Sequence, residues 1–199
     1  ADEYLKSMYN PRVTQYLRVT GFEKKCDGAA AVVVMPTEKA KAMGVPYAPI
    51  EVLGTGASAV EAGLLHNEHW ATELAAKQVY DLTGVSSDEI DLFMCNDFFL
   101  ASEIVSAEEC GYIPRGEAWK YAIDGRTAFD GDKPINPHGG RCNFGHAHGA
   151  SGIADIVEAV KQMRGVAGAT QMKKVPETAF LRGFGGSQNV RCQILRTVA

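Results

Sequence analysis

The sequence predicts an α/β fold in which a mixed sheet of about five strands packs between helices. Apolar, β-branched runs of strand length alternate with amphipathic helical patterns along the chain. No linker of distinct composition interrupts this alternation, and 199 residues are enough for one domain with a buried core. We therefore expect residues 1–20 to be the tail end of a preceding region and residues 21–199 to form the domain.

Five segments have the character of strands. The first is the run at 29–35, whose three consecutive valines are typical of a strand that is buried on both faces. The other four are predicted at 50–53, 90–95, 179–182 and 190–195. Glycine-rich stretches at 54–56 and 183–186 follow two of these strands, and we expect both stretches to be turns.

Helical patterns lie between the predicted strands. A small helix is predicted at 38–43 and is ended by Gly44, and an amphipathic helix at 71–82 is ended by Gly84. The S-x-x-E pattern at 86–89 is a capping box, which predicts one helical turn before the next strand.

Two further helices are predicted in the second half of the chain. One begins at Asn96-Asp97 and runs to about Cys110, and residues 111–135 then form a loop. The last begins at Ser151 as its N-cap and is closed by Gly165. Its apolar stripe is formed by Ile153, Ile156, Val157, Val160 and Met163.

Composition excludes several functional classes. The net charge is −4, from 20 Lys+Arg and 24 Asp+Glu, and no basic stripe of the kind that nucleic-acid-binding proteins carry is present. No apolar run approaches the ~18 residues of a membrane-spanning helix. The five cysteines are odd in number, widely spaced and without a CxxC pair, which favours reduced thiols and a cytoplasmic protein.

The segment 136–152 is the most informative part of the sequence. It holds five glycines, three histidines and one cysteine, directly before a predicted helix N-terminus. Glycines let a backbone approach a ligand closely, and a helix N-terminus offers free N–H groups. Such a loop suits a histidine that is held against a developing negative charge. A tight turn with purely structural histidines is the alternative.

A metal site in the same segment is a further alternative, since four of its side chains are metal-ligand types. These are His138, Cys142, His146 and His148. No carboxylate or second cysteine joins them at a recognised spacing, so we expect no metal.

Two other segments are candidates for polar chemistry. Asn96 follows a predicted strand, where α/β proteins place ligands, and it could orient a water or donate to an oxyanion. The alternative is that Asn96 or Asp97 simply caps the following helix. Backbone N–H groups among Gly183, Gly185 and Gly186 could point at a substrate carbonyl, as an oxyanion hole requires. Plain hairpin chemistry explains these glycines equally well.

Taken in order, these segments resemble the C-terminal half of the thiolase superfamily, nearest to the sterol-carrier-protein (lipid-transfer) type. Residues 27–31 are similar to the family's D-G-A-A-A strand entry, and residues 96–99 lie where thiolases carry N-E-A-F or H-E-A-F. Residues 136–152 resemble the pattern N-x-x-G-G…G-H-P-x-G-A-S-G. The resemblance runs from about Gly21 to the end of the chain.

The resemblance implies a function and roles for several residues. It implies part of an acyl-CoA enzyme that makes or breaks a carbon–carbon bond next to a thioester, with a CoA thioester as substrate and no covalently bound cofactor. In thiolases the matching histidine and asparagine, the latter through a water, form one oxyanion hole. Those residues are His146 and Asn96 here, and a second hole falls among Gly183, Gly185 and Gly186.

Three departures from the family pattern limit what the resemblance implies. The acid/base cysteine of the family's C-x-G motif is absent from residues 181–186. The proline of G-H-P is Ala147, and the following His148 is a candidate for proton transfer. The nucleophilic cysteine of thiolases lies in an N-terminal half that has no counterpart here. We therefore assign no nucleophile to this chain and expect the isolated chain to be inactive.

These departures leave other activities open. One is retro-aldol cleavage of a β-hydroxyacyl-CoA such as a steroid side chain, and another is a non-catalytic scaffold that binds acyl-CoA. In each case we expect a second polypeptide or an N-terminal half to complete the fold across a large apolar interface, in a homo- or hetero-oligomer. The remaining alternative is that the chain is a fragment.

Overall fold

The computed structural model describes residue 3 and residues 6–59, 67–185 and 189–198. The side chains of residues 67–70 are not described. The helices are α1 (Thr37–Ala42), α2 (Asn67–Thr83), α3 (Leu100–Glu109), α4 (Ala118–Ile123), α5 (Gly140–Asn143) and α6 (Ser151–Met163). The strands are β1 (Ile50–Ala59), β2 (Leu92–Cys95), β3 (Thr178–Gly185) and β4 (Asn189–Thr197). Within these residues, no helix combines the length and apolar composition needed to cross a membrane.

The four strands form one mixed sheet in the order β1-β4-β3-β2. Strands β3 and β4 are antiparallel neighbours, and β1 adds to β4 in the antiparallel sense. Strand β2 is parallel to β3, with Leu92 opposite Ala179 and Cys95 opposite Arg182. The predicted α/β class and mixed sheet are confirmed, whereas the described sheet has four strands where about five were expected.

Helices cover both faces of the sheet. Because side chains alternate along a strand, Phe93, Phe180 and Ile194 point to the face that α2 and α3 cover. Leu92, Leu181 and Leu195 point to the opposite face, where they pack with Ala159 and Met163 of α6. The carboxyl ends of the parallel pair β2 and β3 therefore lie between two helical layers.

The prediction of a fifth strand at 29–35 is wrong. These residues form no strand, and Val33 and Val34 are 84% and 80% exposed. The prediction rested on an apolar run, which indicates a buried strand only when a neighbouring strand and an apolar layer cover it. Neither covers this run among the described residues, so an apolar segment is left at the surface.

The glycines at 54–56 do not form the predicted turn, because β1 continues through them to Ala59. A Cβ atom on Gly56 would lie 2.0 Å from the carbonyl oxygen of Ala75 in α2. Glycine at this position allows the helix to pack directly on the strand. The register shift between Val52 and Gly54 is a local irregularity in the pairing with β4.

Most of the predicted helices are confirmed, with shifted starts. Gly44, Gly84 and Gly165, all with positive φ, follow α1, α2 and α6 as predicted, and the capping box at Ser86 and Glu89 is present. Helix α3 begins at Leu100, not at Asn96-Asp97, since residues 98–99 stay extended against residues 22–23.

Helix α4 lies in a segment that we predicted as loop. Its first residue, Ala118, donates its backbone N–H to the Glu108 carboxylate over 2.9 Å. A cap supplied by a residue ten positions away leaves no local signal in the sequence.

Helix α6 buries a different face from the one predicted. Its buried residues are Ser151, Asp155, Glu158, Ala159, Gln162 and Met163. The remaining four residues of the predicted stripe, Ile153, Ile156, Val157 and Val160, are only half-buried. Polar partners explain the difference: Asp155 pairs with Arg141, and Gln162 bonds to the backbone of Thr170 and Met172. The helix thus keeps an apolar stripe that this chain covers only in part.

Candidate functional site

The candidate site forms where three segments meet: the end of β2, the loop that leads into α6, and residues 22–26. The backbone of 22–26 joins the other two. Glu23 donates its N–H to the carbonyl of Phe98 over 2.9 Å, and the Lys24 carbonyl accepts from the N–H of His146 over 2.7 Å. This arrangement places the early segment between Asn96-Asp97 and the histidine-rich loop.

His146 lies at the end of that loop and is 9% exposed. Its Nδ1 atom is 2.8 Å from the hydroxyl of Ser151, whose oxygen also lies 2.9 Å from the carbonyl of Ala147. Burial lowers the pKa of His146, although the Glu23 carboxylate opposes this effect. One ring nitrogen is thus held by Ser151, and the other, Nε2, is turned toward Glu23.

His148 and Glu23 complete a cluster around His146. Nε2 of His146 lies 3.4 Å from Oε2 of Glu23, and Nε2 of His148 lies 3.4 Å from Oε1. The two imidazole rings are 4.4 Å apart between centroids. The structure therefore brings His146 and the candidate proton-transfer residue His148 together. Glu23 was missed by the sequence analysis because 125 residues separate it from His148.

Asn96 lies at the carboxyl end of β2 and is 8% exposed. Its Nδ2 atom is 3.5 Å from the carbonyl of Phe184 on β3, and its Oδ1 atom is buried without a hydrogen-bond partner among the described residues. The alternative that Asn96 or Asp97 caps the next helix is wrong, because no side chain caps α3. No hydrogen bond joins Asn96 to His146 in the described part of the chain; residues 23 and 24 bond to Phe98 on one side and to His146 on the other.

Asp97 instead holds the start of α5. Its carboxylate accepts the backbone N–H of Arg141 over 2.8 Å. A Cβ atom on Gly140 would lie 2.0 Å from Oδ2 of Asp97, and Gly140 has a φ of +62°. Burial raises the pKa of Asp97, although the hydrogen bond from the Arg141 backbone N–H opposes this shift. Beyond the glycine pair itself, no local pattern signals this contact.

A buried ion pair ties the loop to α6. The Arg141 guanidinium pairs with the Asp155 carboxylate and donates to the carbonyl of Ser151 over 2.9 Å. Burial raises the pKa of Asp155 to about 7, although Arg141 opposes this shift. Because Ser151 also contacts His146, the ion pair fixes the residue that orients the histidine.

The buried Asn136 and the partly buried Glu103 form a second polar contact next to the loop. Asn136, with a φ of +44°, accepts the N–H of Cys95 over 3.0 Å and lies 3.4 Å from the Glu103 carboxylate through Nδ2. Burial raises the pKa of Glu103 to about 7, and the nearby Asp97 adds to the shift. The Asn136 side chain therefore holds the last residue of β2 through its hydrogen bond to the Cys95 backbone.

Two of the three glycines of the second proposed oxyanion hole lie in a strand and not in the turn that we expected. Gly183 and Gly185 belong to β3, where they pair with Arg191 and Asn189 of β4. Gly186 lies outside the described residues. Phe184, between the two paired glycines, stacks on Phe98 with 5.7 Å between ring centroids. This end of β3 therefore lies beside Asn96.

The four-residue metal alternative is not assembled. The His138 ring packs against Phe144 with 5.2 Å between centroids, and burial lowers the pKa of His138 to about 4. Cys142 donates its thiol to the carbonyl of Asp97 over 3.5 Å. Among the described residues, the group of three ligand types within reach of one ion is Glu23, His146 and His148.

An open groove of about 440 Å³ lies beside this cluster and is lined by residues 26–30 and 147–150. His148 and Cys26 both line it, and Cys26 is exposed whereas the other four cysteines are buried. Small residues predominate on its walls, so a chain-like ligand could approach the backbone before α6. The groove gives the cluster access to solvent.

Comparison with known proteins places the chain in a family. Residues 56–196 match the family described as Thiolase C-terminal domain-like. The benzoylsuccinyl-CoA thiolase subunit BbsB of Thauera aromatica is 35% identical over 83% of this chain and 43% of the relative. An acetyl-CoA acetyltransferase of Methanothermobacter thermautotrophicus is 33% identical over 92% of this chain and 49% of the relative.

A sterol carrier protein and a solved structure are also similar. Sterol carrier protein 2 of Oryctolagus cuniculus is 30% identical over 73% of this chain and 28% of the relative. The structure titled Ltp2-ChsH2(DUF35) aldolase superposes with a TM-score of 0.76 at 21% identity, over 94% of this chain and 49% of that one. The chain spans about half the length, or less, of these proteins. It belongs to the thiolase family and corresponds to that family's C-terminal domain.

Proposed function

We propose that this chain is part of a thiolase-like acyl-CoA enzyme and supplies an oxyanion hole from His146 and Asn96. The reaction makes or breaks a carbon–carbon bond next to a thioester, so that an enolate forms and its oxygen carries negative charge. The observation that carries the proposal is His146, a buried imidazole held by Ser151 at one nitrogen.

His146 acts as a donor in one of the two arrangements that Ser151 permits. When the Ser151 hydroxyl donates to Nδ1, the ring proton resides on Nε2, which then donates to the thioester oxygen. A preorganised donor of this kind stabilises the developing charge by about 3–4 kcal/mol. Burial lowers the pKa of His146 and so favours the neutral ring, in which Nε2–H is the donor.

Asn96 contributes through a water. Its buried Oδ1 atom has no hydrogen-bond partner among the described residues, which leaves it free to accept an O–H from water. That water donates its second O–H to the same enolate oxygen. A second oxyanion hole is formed by backbone N–H groups among Gly183, Gly185 and Gly186. The position of Gly183 and Gly185 at the end of β3, next to Asn96, supports this assignment.

His148 transfers a proton in this proposal. Its side chain is 65% exposed, lines the groove and contacts Glu23, so it can exchange protons with solvent and with a bound substrate. The nucleophile, where the reaction needs one, lies outside this chain. The substrate is a CoA thioester, and no cofactor is bound covalently.

A second polypeptide or an N-terminal half completes the enzyme, in a homo- or hetero-oligomer. Three features support this part of the proposal. The chain spans about half of its thiolase relatives, α6 leaves Ile153, Val157 and Val160 half-exposed, and the run at 29–35 lies at the surface. Burying these apolar side chains in an interface contributes favourable free energy to assembly.

Retro-aldol cleavage of a β-hydroxyacyl-CoA is the second candidate function. Residues 181–186 contain no cysteine, and the solved structure with the same fold is titled an aldolase. Retro-aldol cleavage needs no acyl-cysteine but still passes through an enolate, so His146 and Asn96 keep their roles. Product analysis separates the two reactions: thiolysis consumes free CoA, whereas retro-aldol cleavage releases a carbonyl product without consuming CoA.

The experiment replaces His146 and Asn96 by Ala, singly, in the complete assembly and measures turnover alongside acyl-CoA affinity. We expect each variant to lose turnover by about 10²–10³-fold with acyl-CoA affinity retained. Full activity of the 199-residue chain alone would contradict the proposal that a second polypeptide or an N-terminal half completes the active site. Absence of turnover in every wild-type assembly, with retained acyl-CoA binding, would show a scaffold.

A further inference from the structure

Glu23, His146 and His148 converge in a way that the oxyanion-hole role of His146 does not explain. Three side chains from two distant segments point their ligand atoms at one another beside an open groove. We propose that this cluster binds a divalent transition-metal ion of the zinc type, through one carboxylate and two imidazole Nε2 atoms. The chemistry of the ligands favours Zn²⁺, because imidazole and carboxylate are both among its preferred ligands.

The distances within the cluster fit ligands of a shared ion better than direct hydrogen bonds. Each histidine Nε2 lies 3.4 Å from an oxygen of Glu23. Charge-assisted hydrogen bonds between such groups measure about 2.7–2.9 Å, so these contacts are long. Zinc bonds of about 2.0–2.2 Å in tetrahedral geometry separate neighbouring ligand atoms by about 3.3–3.6 Å. Each 3.4 Å contact therefore has the length of one edge of a zinc tetrahedron, and the two contacts end on different oxygens of the Glu23 carboxylate.

The hydrogen bonding of His146 also suits a metal ligand. The Ser151 hydroxyl lies 2.9 Å from the Ala147 carbonyl and can donate to it. Its oxygen then accepts Nδ1–H of His146 over 2.8 Å, which leaves a lone pair on Nε2 facing Glu23. Metal-bound histidines commonly donate their second nitrogen to an oxygen in this way, which fixes the ring for the ion.

The cluster is accessible to an ion from solvent. His148 has a side chain that is 65% exposed, and Glu23 and His146 are 19% and 10% exposed at their side chains. Three protein ligands leave the fourth tetrahedral position for a water or another exogenous ligand. The expectation that this chain binds no metal rested on the lack of a carboxylate near the histidines in sequence. Glu23 supplies that carboxylate across the fold.

Metal binding and the oxyanion hole use the same atom. An ion takes the lone pair of His146 Nε2, whereas the proposed enolate needs a proton there. If the proposed function is correct, zinc is therefore an inhibitor that competes with enolate stabilisation. The metal site itself stands on the cluster geometry and does not depend on the proposed reaction.

Calorimetric titration of the purified protein, freed of metal by chelation, with ZnCl2 tests the site without any measurement of turnover. We expect one Zn²⁺ per chain. Glu23→Gln and His148→Ala should each weaken binding at least about tenfold, since even the outer-shell partners of a metal contribute about 10- to 100-fold. His148 is exposed, so its replacement should leave the fold intact, which circular dichroism checks.

Two matched variants make the test specific. Glu38→Gln removes an exposed carboxylate on α1, and Cys26→Ser removes the exposed thiol that lines the same groove. Both should bind Zn²⁺ like the wild type, and bound Co²⁺ should give the visible bands of a four-coordinate nitrogen/oxygen site. No binding by the wild type, unchanged binding by Glu23→Gln and His148→Ala, or loss of binding in Cys26→Ser would each overturn the proposal.

Discussion

Nδ1 of His146 lies 2.8 Å from the hydroxyl of Ser151, at the first residue of α6. This contact couples the histidine to a helix whose own position is fixed by the Arg141–Asp155 ion pair. The ring is thereby oriented by residues that do not themselves touch the groove. Its chemistry depends on which acceptor the Ser151 hydroxyl uses, Nδ1 or the Ala147 carbonyl.

Replacing Ser151 tests this positioning role. We expect Ser151→Ala to lower kcat by about tenfold with little change in KM, since one hydrogen bond contributes about 0.5–1.5 kcal/mol. Ser151→Thr keeps the hydroxyl and should restore most of the rate. Nitrogen-15 NMR of the imidazole should show a shift in tautomer in the Ala variant alone. Equal rates and spectra in all three proteins would contradict the role of Ser151.

Gly140 is expected to be intolerant of a side chain. Gly140→Ala should lower the free energy of unfolding by about 2–4 kcal/mol, because the new Cβ meets the Asp97 carboxylate at a positive φ. Gly149→Ala is the matched control, since nothing lies within 4 Å of its Cβ position. Urea denaturation of both variants measures the difference. Similar stability losses at the two positions would argue against the Asp97 contact.

The partly buried Glu103 predicts a pH dependence of stability. Its pKa is raised from 4.5 to about 7 in the folded protein, so the folded state binds more protons than the unfolded state between these values. Stability should therefore fall as pH rises from about 4.5 to about 7, by about 3 kcal/mol for this group. Glu103→Gln should reduce the slope in urea denaturation series at several pH values.

Asp155 titrates in a similar window, so the slope in Glu103→Gln should be reduced and not abolished. If the unfolding free energy of Glu103→Gln falls more steeply with rising pH than that of the wild type, the predicted direction of the Glu103 contribution is wrong.

The exposed run at 29–35 should matter for assembly and not for the fold of this chain. Val33→Ser should change the unfolding free energy by less than about 0.5 kcal/mol, since Val33 is 84% exposed. It should weaken association with the completing partner about tenfold or more, because burying a valine contributes about 1.5–3 kcal/mol. Native mass spectrometry across a dilution series measures this.

Ile123→Ser is the control for that experiment. Ile123 is 75% exposed on α4, outside the proposed interface. Its replacement should leave association unchanged. If Val33→Ser and Ile123→Ser behave alike, the run at 29–35 is not part of the interface.

Local patterns predicted the elements whose signals lie within a few residues. The capping box at Ser86, the glycine at the end of α2 and the two closing strands are examples. The run at 29–35 was wrongly predicted as a strand. An apolar run shows that a segment is suited to burial, but it does not show whether another strand or helix packs on it. Similarly, α6 buries polar residues because Arg141 and the Thr170 segment supply partners that periodicity does not contain.

The histidines and the asparagine of the candidate site could be named from the sequence, since they lie in motifs that resemble those of a known family. Glu23, Asp97 and Arg141 were not, because each acts through a contact between distant segments. The glycines at 183 and 185 looked like a turn, yet the pairing with β4 extends the strand through both. Pairing with β4 therefore determines that these glycines are strand residues, which the local composition does not indicate.

The most direct test of the central claim is the exchange of α-protons of an acyl-CoA with D2O, followed by NMR in the complete assembly. Exchange reports enolate formation whether the enzyme is a thiolase or a retro-aldolase. We predict that His146→Ala slows exchange by about 10²–10³-fold while acyl-CoA affinity is retained. Exchange at the wild-type rate in His146→Ala would contradict the assignment of the oxyanion hole to this residue.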